Sequence, residues 1–381
     1  MKPICYYALA GALALGCLPG EAPAASRKGK PAQSLYLTNV HMVSKMTGAP
    51  LEEETCLHPN ATDRDYDVHG TDLGIMWRIS GDRIGIFFGD TNGEGFKTGN
   101  GGCGSNWRSN VLAFSSDTDL SDGLRIDSMA LDAEGKAREI CAGGKAQAEP
   151  YQTSIPTSAI RAGKTDCVHF MNIYEWAGGK GRWLTNFSSI YTSDDDGRTW
   201  QRQEGVTFSP DSHFSQVAYA KKDGWVYMIG TQSGRGDAAY LCRFREKDLL
   251  DMGAYLYWNG SDWVADEQAA VPVLRGPIGE ASLMFHEGLK RWIYTYSYDP
   301  GYDKDPVTRV QAVLYCDTDD ITRWDGERKV LLTHDKYPIP YCAFMYPETR
   351  GDKVYFALSM WQPYNVYLMS ADLELRPDEA R

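Results

Sequence analysis

One pattern recurs five times along this chain: a short apolar run, a polar break, and a longer apolar run. The longer runs are residues 82–90 (DRIGIFFGD), 165–174 (TDCVHFMNIY), 223–230 (DGWVYMIG), 291–298 (RWIYTYSY) and 352–360 (DKVYFALSM). Shorter runs precede them at 73–79, 158–161, 216–220, 282–286 and 343–346, and strand-like stretches follow at 110–115, 189–193, 239–244, 311–316 and 365–370. Repeated units of three or more strands predict an all-β fold, a five-bladed β-propeller. Such a fold brings one strand end from every blade to a single axis, so residues remote in sequence can share one pocket. Residues 34–43 (SLYLTNVHMV) alternate like a strand but stand outside the five units. They are expected to pair with the last blade and close the ring, removing an open sheet edge.

The first residues read as an export signal. Lys2 precedes an apolar stretch from Ile4 to Leu18 and the small-residue run Ala22-Pro23-Ala24-Ala25. That length suits a signal core and is short for a membrane span. Cleavage near Ala24 is favoured, with acylation of Cys17 as the alternative. The expected organisation is a signal peptide at 1–24, a linker at 25–33 and one catalytic propeller at 34–376, secreted or periplasmic and monomeric. No other segment could span a bilayer. The net charge of −12 argues against nucleic acid and anionic membrane as partners and suits a neutral polysaccharide. Export favours disulfides among Cys56, Cys103, Cys141, Cys167, Cys242, Cys316 and Cys342, although spacing does not give the pairing. No pair among them has zinc-type spacing.

Several segments break the repeat. Residues 47–70 read as an irregular acidic loop, 93–105 (GEGFKTGNGGCGS) as a glycine-rich loop beside the pocket, and 130–153 as a polar insertion. One or two helical turns are expected near 246–252. Residues 193–200 (SDDDGRTW) match the pattern S-x-D-x-G-x-T-W, in which the Asp and Gly form a hairpin turn over the Trp. Asp195 is therefore read as structural.

Inner strands line the axis of a propeller, and most here begin with a polar residue: Asp72, Thr157-Ser158, Gln216 and Glu280. The fifth carries Cys342 and Tyr346. Asp90 ends the second strand of the first unit. These acids interrupt apolar runs, whereas surface acids usually sit in polar stretches. Cleaving a glycosidic bond needs one protonated carboxyl to donate to the leaving oxygen and one ionised carboxylate to activate water or attack carbon. Asp72, Asp90 and Glu280 are the catalytic candidates; the competing reading is that Asp72 and Asp90 cap turns. Trp107, Trp176, Trp361 and Tyr364 lie at loop or strand ends, where a ring can present its face to a sugar. Arg108, Asn110, Gln216, Tyr346 and Asn365 complete the candidate binding set. Arg108 and Asn110 could equally tie down the glycine-rich loop. Trp77, Trp183, Trp225 and Trp292 are read as packing between blades. His69 and His213 lie near inner strands and could assist a carboxylate. No cofactor is expected. Acids and carbonyls converging on the axis would be compatible with calcium, but no ligand set is identifiable and the metal remains open.

The segments TDLGIMW, FFGDTNG, NWRSNVLAFSSD, TSAI, TNFSSIYTSDDDGRTW, SQVAY, YMIGTQSGR-x-x-AAYLCR, GPIGEASLMF and SMWQPYNVYLM occur in this order. Together they resemble a bacterial family long labelled a domain of unknown function, some members of which are endo-D-arabinanases. The resemblance spans roughly residues 35 to 373. It implies a five-bladed propeller that cuts α-D-arabinofuranosyl linkages of mycobacterial arabinogalactan and lipoarabinomannan. It also implies that the acids of the TDLG and FGDT motifs, here Asp72 and Asp90, form the catalytic pair, with Glu280 of GPIGE as a third acid. Cys103, Cys141 and Cys167 look like local additions, and Tyr346 stands where a His is expected.

Two other readings compete. One is a glycosidase for another furanoside or bacterial glycan, since propellers support many chemistries through their loops. The other is a propeller that binds glycans without cleaving them. The uneven distribution of acids over the blades favours a single central site.

Overall fold

The computed structural model describes residues 33–98, 103–142 and 153–377. The expected signal peptide, the linker up to residue 32, the tip of the glycine-rich loop and residues 143–152 of the polar insertion lie outside the described residues. Strand β1 (Gln33–Lys45) opens the described chain. The first blade follows as β2 (Leu73–Ser80), β3 (Arg83–Phe88), β4 (Val111–Ser115) and β5 (Ser128–Met129). The second is β6 (Thr153–Ala162), β7 (Thr165–Glu175), β8 (Leu184–Ser193) and β9 (Gln201–Phe208). The third holds β10 (Gln216–Lys222), β11 (Trp225–Thr231) and β12 (Asp237–Arg245), with β13 (Leu256–Trp258), β14 (Trp263–Val264) and β15 (Pro272–Ile278) on its outer side. The fourth is β16 (Ala281–His286), β17 (Arg291–Tyr298), β18 (Ala312–Thr318) and β19 (Lys329–Thr333). The fifth is β20 (Pro340–Met345), β21 (Lys353–Met360) and β22 (Asn365–Pro377), and β1 completes it on the outside. The protein is a five-bladed β-propeller.

The elements follow from local chemistry. In the first three blades the two innermost strands are joined by tight hairpins whose turn residues adopt positive φ, among them Gly81 and Gly163. Asp223 (φ 53°) and Gly224 (φ 74°) turn β10 into β11 in this way. The longer apolar runs become second strands with nearly every residue buried, because each sheet packs against a neighbour on both faces. Phe87, Phe170, Met228, Ile293 and Phe356 are all within 1% of complete burial. The ring closes as expected: β1 pairs antiparallel with β22 from Gln33↔Pro377 to Lys45↔Tyr367. Its start is also held by the fourth blade, since Leu35 N donates to Asp317 Oδ2 and Leu37 N to Tyr315 Oη.

Three local expectations are adjusted. The acidic loop contains one short helix, Thr62–Tyr66, and the turns near 246–252 are 3-10 turns at Glu246–Asp248 and Met252–Ala254. The expected disulfides are not formed: all seven described cysteines are free, and Cys141, Cys167, Cys242, Cys316 and Cys342 are buried. Buried thiols here serve as small apolar side chains between blades. Among the described residues no helix is long and apolar enough to cross a membrane.

The 193–200 motif behaves as read. Asp195 accepts from the backbone of Arg198 and Thr199 and from Thr199 Oγ1, and these bonds hold its carboxyl down at about 2. Trp200 donates to Gly197 O and packs edge-on against Trp77 and Phe87 in the first blade.

Candidate active site

The axial ends of the inner strands carry three irregularities that aim side chains. In β2 the register slips between Leu73 and Ile75, where Leu73 (φ 69°) and Gly74 (φ 92°) are consecutive left-handed residues. In β6 the slip lies between Pro156 and Ser158. In β20 it lies between Tyr341 and Phe344, with Cys342 at φ 55°. Bulges of this kind redirect the side chain next to them. At Gly74 the requirement is also steric, since a Cβ there would stand 2.7 Å from Ala357 Cβ.

These strand ends surround a cavity of about 460 Å³ on the axis. Asp72, Asp90 and Glu280 all line it, with Gln216, Trp107, Trp176, Trp361 and Tyr364 from the candidate set. Asp72 is held by one donor, Tyr341 Oη, at 3.0 Å from Oδ2. Its other oxygen, Oδ1, is buried without a partner among the described residues and rests against Gly89, where a Cβ would come within 2.4 Å. Burial, the negative charge of Asp90 and that of Glu280 outweigh the Tyr341 bond and the Arg235 charge, and push Asp72 up to about 8. Asp90 accepts from Thr153 Oγ1 at 2.7 Å and from the Trp107 side chain. Burial still dominates there and raises it to about 7. Glu280 is different. Burial opposes its charge, but Arg235 lies against it with Nη2–Oε1 at 2.7 Å and Nε–Oε2 at 3.0 Å, and its pKa falls below the ordinary value. Glu280 is thus an ionised, compensated carboxylate and not a proton donor.

The walls are aromatic. Trp176 and Trp361 are 41% and 42% exposed at the mouth, while Tyr364 is buried and packs edge-on to Trp361 at 5.8 Å. Trp183, read from sequence as packing between blades, instead lines the cavity beside Trp176, with ring centroids 5.1 Å apart. Trp77 and Trp292 are buried in the sheets. Trp225 is covered by the Arg243 and Arg245 guanidinium groups.

Four candidates lie elsewhere. Arg108 is buried and donates to Ala137 O and Asp67 O, which ties down the glycine-rich loop. Asn110 donates to Cys141 O and Ser154 O and accepts from Ile140 N and Cys141 N, so its amide is fully used. Asn365 joins Thr47 to Pro363 O through its amide. Tyr346 lies past the far end of β20 and lines a separate depression with Arg78 and Arg161, because the strand runs Pro340–Met345 and presents Tyr341 to the cavity instead. Neither histidine assists a carboxylate of the cavity: His69 lies 3.5 Å from Asp67 and His213 3.1 Å from Asp237.

Sequence reading missed Arg235, Tyr341 and Thr153. Tyr341 directly precedes Cys342, which already marked the start of the fifth inner strand, so a one-residue shift would have found it. Arg235 follows Gly234 (φ 118°) in a loop that abuts residues 181 and 182, and the repeated glycines of SGRG were the available signal. Among the described residues no group of three or more His, Cys, Asp or Glu is arranged to hold a metal ion.

The chain belongs to the family described as Domain of unknown function (DUF4185), whose model matches residues 58–370. Notoamide biosynthesis cluster protein J of Aspergillus sp. (strain MF297-2) is 24% identical over 315 residues, covering 78% of this chain and 81% of that protein. Among solved structures, a protein from Bacteroides ovatus ATCC 8483 described as a proposed hydrolase superposes with a TM-score of 0.56 at 10% identity, over 81% of this chain and 87% of that one. The α-L-arabinofuranosidase PaAbf62A from Podospora anserina gives a TM-score of 0.46 at 8% identity, over 90% of this chain and 98% of that one. At such identity the likeness to the Bacteroides protein is one of fold.

Proposed function

We propose that this chain is an exported glycoside hydrolase that cleaves internal α-D-arabinofuranosyl linkages of D-arabinan with two carboxyl groups. The observation that carries the reading is the pair Asp72 and Asp90, both raised toward neutrality in one aromatic-walled axial cavity. Raised carboxyl groups in a cleft are the usual arrangement of acid–base catalysis near pH 7.

The surroundings divide the roles. Asp72 has one donor and one bare buried oxygen, so charge on it is costly and it serves as the acid, giving its proton to the leaving glycosidic oxygen. Asp90 has two donors and carries charge more readily, so it acts on the anomeric centre directly or through a water. Among the described residues Arg235 is the cation in the cavity wall, and Glu280 already neutralises it. That favours a neutral sugar over an anionic one. Blades two and five flank blade one, which bears both acids, and they contribute the exposed Trp176 and Trp361. A chain crossing blade one would meet an aromatic platform on each side, which supports cleavage within a chain. The resemblance of the TDLG and FGDT motifs supports D-arabinan as that chain.

Incubation of the purified protein with mycobacterial arabinogalactan tests this. Release of arabinofuranosyl oligosaccharides is expected. Turnover of another pentofuranoside or hexose polymer, with none of D-arabinan, would replace the substrate; sugar binding without turnover of any glycan would replace the enzyme by a binding propeller.

A further inference from the structure

Gln216 opens β10, the inner strand of the third blade, and is 4% exposed. It lines the axial cavity with Asp72 and Asp90. Its amide oxygen and amide nitrogen are both buried without a hydrogen-bond partner among the described residues. Two other polar groups of the cavity wall are engaged: Thr157 Oγ1 accepts from Val217 N, and Arg235 is spent on Glu280. The same wall offers Ile155, Pro156 and Met171, which cannot pair with an amide. A ligand that displaces solvent from the cavity must supply this amide with a donor and an acceptor together, or it leaves both atoms unpaired at a cost. A carboxylate would satisfy only the nitrogen and an ammonium only the oxygen. Two adjacent hydroxyls satisfy both, because each can donate or accept.

We infer that Gln216 is the specificity-determining residue of this site and reads two neighbouring free hydroxyls on the sugar unit bound beside Asp72 and Asp90. This rests on the glycosidase reading and adds a demand on the substrate: the unit in that subsite is unsubstituted at both positions, so a deoxy, acylated or branched unit is rejected there. A pocket that hydrogen-bonds a hydroxyl discriminates strongly against analogues lacking it, because the protein group is then left unpaired.

The test compares the protein carrying Gln216 with Gln216→Leu, each also carrying Asp72→Asn to stop turnover. Calorimetry measures binding of an α-D-arabinofuranosyl tetrasaccharide and of tetrasaccharides deoxygenated singly at each ring hydroxyl, alongside a panel of other pentofuranosyl and hexosyl oligosaccharides. Gln216→Leu is expected to weaken binding of the parent sugar at least tenfold. Two deoxy sugars should lose about as much on the Gln216 protein and nothing further in the Gln216→Leu variant. Without sugar, Gln216→Leu should melt at the same temperature or higher, since the amide makes no hydrogen bond to the described protein; a residue that merely supports the fold would lower it. Binding within twofold of the Gln216 protein, or deoxy penalties unchanged by the substitution, overturns the role of Gln216 while leaving the glycosidase reading intact. Failure of every sugar in the panel to bind the Gln216 protein overturns both.

Discussion

Tyr341 Oη donates to Asp72 Oδ2 at 3.0 Å across the seam between the fifth and first blades, joining residues 269 positions apart. The bond exists only because the ring is closed. It lowers the Asp72 pKa against the burial and the neighbouring negative charges that raise it. Tyr341→Phe removes the donor and leaves both oxygens of Asp72 bare, so the carboxyl titrates still higher. The basic limb of the pH dependence of kcat/KM is expected to move up by about one pH unit. An unmoved limb would show that Asp72 does not set it.

The pH dependence of the native protein follows from both carboxyls. On the proposed roles Asp90 acts ionised, which requires pH above about 7, and Asp72 acts protonated, which requires pH below about 8. The profile of kcat/KM is therefore expected to be a narrow bell with its maximum between these values, reporting the two macroscopic ionisations of the free pair. A plateau extending down to pH 5 would contradict the assignment.

Asp72→Asn and Asp90→Asn are each expected to cut turnover about 10²–10⁴-fold. They should also stabilise the fold in alkali. A carboxyl whose folded pKa is raised binds protons more tightly in the folded state, so its neutral form costs nothing extra below the unfolded pKa. Stability is then lost as pH rises from the ordinary carboxylate range through the folded values of about 8 and about 7. Neutral Asn removes that loss. Melting temperatures at pH 8.5 above that of wild type, with no gain at pH 4, are the expected signature.

The fold was legible because its signal is coarse. Five paired apolar runs need only alternation and turn residues, and the unpaired strand 34–43 had one free partner to find. The acids at 72, 90 and 280 were legible because charge inside an apolar run is conspicuous. The errors came where sequence cannot state direction. Arg108 and Asn110 carry suitable chemistry but face a loop, and only the hydrogen bonds their side chains make there reveal it. Tyr346 and Tyr341 lie at opposite ends of one strand, and a bulge at Cys342 breaks the alternation that would have told them apart. Arg235 comes from an outer connection whose path to the axis depends on a glycine contact between loops.

Gly89 tests how tightly the acid is seated. Its backbone lies so close to Asp72 that an added Cβ would stand 2.4 Å from Oδ1 and 2.9 Å from Leu73 Cδ1. Gly89→Ala must displace the carboxyl or the second strand, and the carboxyl is the softer of the two. Catalysis depends on placement to within a fraction of an ångström, so a loss of about 10²-fold in kcat is expected. The melting temperature should change far less than that loss would imply for a fold defect.

Asp317 tests the closure that brings the site together. It is buried, accepts from Leu35 N of β1, and pairs with Arg291 at 2.5 Å and Lys329 at 2.9 Å. Asp317→Ala leaves two cations facing each other with little solvent and removes the Leu35 N bond between the closing strand and the fourth blade. Removing one partner of a buried charge cluster costs about 3–5 kcal/mol. The midpoint of urea unfolding should fall accordingly. Because Tyr341 reaches Asp72 only while the fifth blade stays against the first, activity should be lost at lower urea in the variant than in wild type, and in step with unfolding. Loss of activity well before the unfolding transition would mean that the seam opens independently of the closing strand.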